Sequence, residues 1–130
     1  MIELRVLIAD DEVLAQDLLE EVVKEAVPKG YTLVCERYAN GREAYIAWCK
    51  KPKAYAFVVS DGNMPGMNGA EFVKKIKSEK PSQKVIFCSG TEDFQEQADA
   101  NFAKPIDLSK MIAAMNRFFK DYLQDSSAIP

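Results

Sequence analysis

A chain of 130 residues, 48% of them hydrophobic, is long enough for one domain with a sizeable core and too short for two. Its net charge of -3 comes from acidic and basic residues mixed along the chain, with no Lys/Arg block, so the electrostatic footprint of a nucleic-acid binder is absent. No apolar run approaches the roughly 20 residues that span a bilayer, and the first strand-like segment is too short and too soon followed by acids to be a secretory signal, so a cytoplasmic protein is expected, with no membrane and no nucleic-acid partner.

Residues 4–9 form a short apolar run that stops at Asp10-Asp11-Glu12, which predicts a first strand. Val13, Leu14, Leu18, Val22 and Val23 then recur at helical spacing, and the helix must end before Pro28 and Gly30. Residues 31–38 alternate as a second strand, Asn40-Gly41 turns the chain, and residues 42–50 form a short helix closed by Lys51-Pro52. Residues 55–60 form an apolar third strand that ends at Asp61. The Gly-, Pro- and Asn-rich run 61–69 is loop, and residues 70–80 form a third helix with Phe72, Val73 and Ile76 inward. A fourth strand follows at 84–88. Between Ser89 and Lys104 there is room for one or two turns at 94–98 and a short strand at 100–103, but hardly for a full helix. Asp107 caps a last helix with an apolar stripe of Leu108, Met111, Ile112, Met115, Phe118, Phe119 and Tyr122, broad enough that part of it is expected to meet a partner. Residues 1–123 are read as the domain and 124–130 as a flexible tail. Cys35, Cys49 and Cys88 are odd in number and without a CxxC, so they read as small buried fillers rather than a disulfide or zinc framework.

Alternating strands and helices predict an α/β fold, a doubly wound five-stranded parallel sheet in the flavodoxin-like order 2-1-3-4-5, with the fourth helix short or missing. In such sheets ligands sit at the carboxyl ends of the strands, at the switch between strands one and three. Those ends carry Asp10-Asp11 and Asp61. Carboxylates so placed repel unless one is protonated or a cation neutralises them. A hard divalent cation, Mg2+, is the natural answer, with Asp10, Asp11 and Asp61 as ligands and the backbone carbonyl of Asn63 completing the protein's share. Asp61 keeps one oxygen as nucleophile for an acyl phosphate. Lys104 and Ser89, at neighbouring strand ends, can serve the remaining phosphoryl oxygens. Each residue alone has a plainer reading: helix capping for Asp10 and Asp11, a turn for Asp61, a loop start for Ser89 and a solvated strand end for Lys104. Four strand ends carrying the required residue types in the required order favour the site. Because histidine is absent, a phosphohistidine donor has to be another protein.

The run Leu7-Ile8-Ala9-Asp10-Asp11-Glu12, the loop Asp61-Gly62-Asn63-Met64-Pro65-Gly66-Met67-Asn68-Gly69, the pairs Ser89-Gly90 and Lys104-Pro105, and the turn Ala39-Asn40-Gly41-Arg42-Glu43-Ala44 together resemble the response-regulator receiver domain of two-component systems. The resemblance implies that Asp61 is phosphorylated from a histidine kinase or a histidine phosphotransfer protein. It also implies that Asp10, Asp11 and the Asn63 carbonyl serve Mg2+, that Ser89 and Lys104 hold the phosphoryl group, and that the Lys104-Pro105 bond is cis. The output is then a changed contact with an unknown downstream protein, as a monomer or a phosphorylation-dependent dimer. Apart from its own phosphorylation and dephosphorylation the chain is expected to catalyse nothing. Val13, Leu14 and Leu18 flank the acidic site on the helix that receives the phosphodonor in this family, although packing against the sheet is the plainer reading of all three. Two departures stand out: the short segment before Lys104, and Asn101 where the family carries Tyr or Phe three residues before the Lys. Asn63 and Thr91 flank the phosphoryl position and are expected to tune its lifetime. The alternative reading is a pseudo-receiver that binds partners without being phosphorylated.

Overall fold

Strand β1 (Glu3–Ala9) sends Leu4, Val6 and Ile8 to one side and Leu7 and Ala9 to the other, and all five are fully buried. A strand apolar on both faces belongs in the middle of a covered parallel sheet. In the computed structural model, which describes residues 2–90 and 93–125, it lies there. The elements that follow are α1 (Val13–Ala26), β2 (Thr32–Tyr38), α2 (Gly41–Lys50), β3 (Tyr55–Asp61), α3 (Gly69–Glu79), β4 (Val85–Ser89), β5 (Ala100–Ala103) and α4 (Leu108–Gln124). All strand pairs are parallel, in the order β2-β1-β3-β4-β5, as expected. The last helix runs one residue into the segment expected as tail; residues 126–130 lie outside the described residues.

Alternation along the central strands builds two cores. Val6, Ile8, Phe57, Val59, Ile86 and Cys88 face α1 and α4. Leu7, Val58, Val85 and Phe87 face α2 and α3. A register shift between β1 and β3 at Arg5/Val6 puts Ala56 and Phe57 on the same side despite their adjacency.

Two helix faces differ from expectation. Val13, Leu14 and Leu18 are exposed (64%, 81% and 46%), and α1 instead packs through Gln16, Leu19, Val22, Val23 and Ala26. The pattern read as one stripe splits: Val22 and Val23 face inward, while Val13, Leu14 and Leu18 face outward. On α4 the reverse holds. Phe118 and Phe119 are buried around Phe57, with ring centroids 6.3 and 4.9 Å from it, so with Met111 and Met115 they belong to the core, while Ile112 and Tyr122 are half-buried and Leu108 is exposed. Among the three free cysteines Cys88 is buried and Cys35 half-buried, but Cys49 is exposed, its sulfur 3.8 Å from Glu79 of α3, correcting the reading of all three as fillers.

Among the described residues no helix lies between β4 and β5, in keeping with the short segment there. Residues 95–98 make a single turn closed by the Ala98 amide on the Gln95 carbonyl at 3.1 Å. No helix of the described residues is long and apolar enough to cross a membrane.

Candidate functional site

Asp10 immediately follows β1, and its backbone amide still extends the ladder by donating to the Tyr38 carbonyl at 3.0 Å. Its side chain is buried, with Oδ1 accepting from the Glu12 amide at 2.9 Å. Gln16, on the buried face of α1, donates to the Asp10 carbonyl at 2.6 Å and accepts from Arg37 Nε at 3.1 Å. The residue at the α1 N-cap is Glu12, and its side chain makes no capping bond, so Asp10 and Asp11 are not consumed as ordinary caps. Gln16 was not singled out from the sequence; a polar residue in step with Leu19 and Val23 was its one signal.

Asp61 is the last residue of β3, paired with Cys88 of β4 and buried. The following loop is pinned at both ends. The Gly62 amide donates to the Cys88 carbonyl at 2.9 Å, and the Gly69 amide to the Gly62 carbonyl at 3.1 Å. Helix α3 starts so close to the β3 end that a Cβ on Gly69 would lie 2.0 Å from the Asp61 carbonyl oxygen. At the loop's tip Gly66 has φ of +78°, a left-handed conformation that favours glycine, and it rests against the Asn40 side chain. Asn40 in turn caps α2 by accepting from the Arg42 and Glu43 amides at 2.8 and 3.2 Å. The Asn40-Gly41 turn therefore supports the acidic loop as well as starting a helix.

From β5 the chain brings Lys104, whose backbone amide donates to the Ser89 carbonyl at 2.9 Å; the Lys104-Pro105 peptide is cis. Lys104 Nζ donates to Asp61 Oδ1 at 2.9 Å and lies 3.9 Å from Asp10 Oδ2. Carboxylate oxygens of Asp10, Asp11 and Asp61 all lie within 4.8 Å of one another, with Asp11 exposed. Burial first, and then the neighbouring Asp61 charge, push the Asp10 carboxyl above the usual carboxylate range, against the Glu12 hydrogen bond that opposes them. Burial works against the Lys104 ammonium, but its hydrogen bond to Asp61 and the charges of Asp61 and Asp10 outweigh that and raise its pKa.

One ammonium thus faces three carboxylates. An all-oxygen donor set with an uncompensated charge of about two fits a hard divalent cation. Ser89 is buried beside the site, and together with Asp61 and Asn63 it lines a cavity of about 560 Å3 that Asp93, Phe94 and Gln95 also line. Asp10, Asp11, Asp61 and Lys104 therefore converge through their side chains, and Ser89 and Asn63 stand with Asp61 in the wall of the cavity. Thr91 lies outside the described residues.

Asn101, in the aromatic's place, points to the α3 side opposite Phe87 and holds Gln95 by two hydrogen bonds. The sequence marked the substitution but not this use of it.

Residues 6–116 match the family model described as the response regulator receiver domain. The chemotaxis protein CheY of Thermotoga maritima is 32% identical over 124 residues, covering 89% of this chain and 98% of that one. Other relatives are longer proteins of which the chain spans from about a quarter to about a half. A two component transcriptional regulator AraC from Clostridium phytofermentans superposes with a TM-score of 0.76 at 30% identity, over 97% of this chain and 99% of that one. The CheX-CheY-BeF3-Mg2+ complex from Borrelia burgdorferi gives 0.75 at 26%, over 90% of each. With the strand order, the acidic strand ends and a family model over most of the chain in agreement, this protein belongs to the response regulator receiver family, a family of signalling modules.

Proposed function

We propose that the chain is a phosphoacceptor: Asp61 takes a phosphoryl group from a phosphohistidine of a histidine kinase or phosphotransfer protein, and the phosphorylated form signals by altered contacts with a downstream protein. The observation that carries this reading is the Lys104–Asp61 contact of 2.9 Å within a triad of carboxylates less than 4.8 Å apart. In the transfer an Asp61 oxygen forms a bond to phosphorus while the donor's P–N bond breaks, and the electron pair leaves with the imidazole. Lys104 holds positive charge where the equatorial oxygens gather negative charge, and Ser89, which lines the cavity with Asp61, supplies a hydroxyl that can hydrogen-bond another. Mg2+ held by Asp10, Asp11 and Asp61, with the Asn63 carbonyl, would neutralise the remaining charge and let the phosphate approach. The magnesium and beryllofluoride in the Borrelia complex, the latter a phosphoryl mimic, support the same pairing of ion and acceptor here.

The exposed Val13, Leu14 and Leu18 on α1, next to Asp10 and Asp11, are the surface on which the phosphodonor would dock. Residues 1–123 act as the receiver unit and 124–130 as its tail. Beyond its own phosphorylation and hydrolysis the unit catalyses nothing.

Intact-mass spectrometry after incubation with Mg2+ and a small phosphodonor tests the reading. One added phosphoryl group is expected in the parent, and none without Mg2+ or in Asp61→Asn. A parent that neither gains the group nor binds beryllofluoride with Mg2+ would be a pseudo-receiver.

A further inference from the structure

The segment that joins β4 to β5 is not a loose remnant of a lost helix. At its near end, Asn101 Oδ1 accepts from the Gln95 amide at 2.9 Å and Asn101 Nδ2 donates to the Gln95 carbonyl at 3.0 Å. One carboxamide thus satisfies both backbone groups of one residue, as a neighbouring strand would. At its far end the Asp99 amide donates to the Val85 carbonyl at 2.9 Å. Asp99 Oδ2 accepts from the Val85 amide at 2.8 Å and from Lys77 Nζ at 2.7 Å. Between these anchors Ala98 packs against the α2–α3 core. Residues 95–99 form a strap, one turn closed on itself and tied at both ends by the side chains of Asn101 and Asp99.

This strap has one contact with the chemistry. Phe94 and Gln95 line the same cavity as Asp61, Asn63 and Ser89. Phe94 is half exposed, so it is no part of the core and nothing in the fold itself requires a ring there. The Gln95 backbone, gripped by Asn101, fixes the place of both residues.

We propose that Asn101 is a positioning residue for the phosphorylated state: by holding both backbone groups of Gln95, it keeps Phe94 and Gln95 as a wall of the phosphoacceptor cavity and slows the approach of water to the acyl phosphate. The proposal rests on Asp61 being the acceptor. In the step it restrains, a water oxygen bonds to phosphorus and the bond between phosphorus and the Asp61 oxygen breaks. The carboxylate and inorganic phosphate result, and the water's proton passes to phosphate or solvent. An aromatic residue at position 101 lacks the paired donor and acceptor and cannot make this grip.

The experiment follows the phosphoryl group on Asp61 by intact mass after the small phosphodonor is removed, in the parent, Asn101→Ala and Phe94→Ala. Hydrogen exchange at the Gln95 amide is measured on the same unphosphorylated proteins. Asn101→Ala should raise exchange at Gln95 and shorten the phosphoryl lifetime several-fold. Phe94→Ala, at an exposed position, should shorten it without a loss of stability. Glu36→Gln, destabilised at the far edge of the sheet, should keep the parent's lifetime, which separates positioning from general loosening. Faster exchange with an unchanged lifetime in Asn101→Ala overturns the proposal, as does an unchanged lifetime in Phe94→Ala if Asn101→Ala does not fold. A parent that takes no phosphoryl group fails earlier, at the Asp61 reading, and takes this proposal with it.

Discussion

Asp10 carries a charge in a place that the fold alone does not favour, since it is 1% exposed and its neighbours include two more carboxylates. Asp10→Asn keeps an oxygen to accept from the Glu12 amide and removes the charge. In Mg2+-free buffer this variant should gain stability of about 1 kcal/mol, and it should lose the stabilisation that added Mg2+ gives the parent. Thermal unfolding followed through Trp48, the chain's one tryptophan and a buried one, measures both; a lower melting point in Mg2+-free buffer would mean that the Lys104 pairing outweighs the crowding. Glu36 on β2 has the opposite character. Burial disfavours its charge, but hydrogen bonds from Tyr55, Arg5 and Tyr38 outweigh that and hold its pKa below the ordinary 4.5. The folded protein therefore binds that proton less readily than the unfolded chain. The stabilisation is complete above about pH 4.5 and is lost as pH falls through the folded-state value. Glu36→Gln should cost about 1 kcal/mol at pH 7 and flatten the acid limb of stability against pH; an unchanged acid limb would assign that loss to other carboxylates.

Helix α3 and strand β3 meet at a distance that only glycine permits, and this contact ties an element's position to the chemistry. Gly69→Ala forces a methyl against the Asp61 carbonyl, so α3 must move away from the β3 end or the loop must open. A cost of about 3 kcal/mol is expected, together with reduced phosphoryl incorporation as Asp61 leaves its place beside Lys104; denaturant unfolding and intact mass report the two effects separately. At this scale the sequence was most legible where period and punctuation agree. Strands buried on both faces, an Asp at each of two strand ends and Gly-Pro-Asn loops pointed to the strand order and to the candidate site together. The faces of α1 were not legible, because Val13, Leu14 and Leu18 form an apolar stripe that helical spacing cannot distinguish from the true inner one, Leu19 to Ala26 with the polar Gln16 in it. The Asn101 grip was illegible for a different reason. It is a contact between a side chain and a backbone several residues away in a segment without periodicity, and only the folded chain brings the two together.

For the whole molecule, the acidic cluster lies at the carboxyl ends of the strands, and under the proposed function a phosphohistidine donor would present its imidazole there while resting on something. The described residues offer an apolar rest at α1, where Leu14 is 81% exposed and Val13 and Leu18 flank it. Exposed apolar side chains grouped beside a charged site have no role in the α1–α4 core, whose residues are complete without them. They suit a partner helix that brings its own apolar face alongside. Leu14→Ala removes little that the fold uses, so its melting point and its phosphorylation by a small donor should match the parent's. Transfer from a phosphorylated phosphotransfer protein that serves the parent should slow by about tenfold, the loss expected when one central apolar anchor is truncated. Stopped-time transfer assays on both donors check this. An equal loss with the small donor would place the defect in the acidic site, while no loss with the protein donor would move the docking surface off α1 and turn attention to the strap side of the cavity, where Phe94 is exposed.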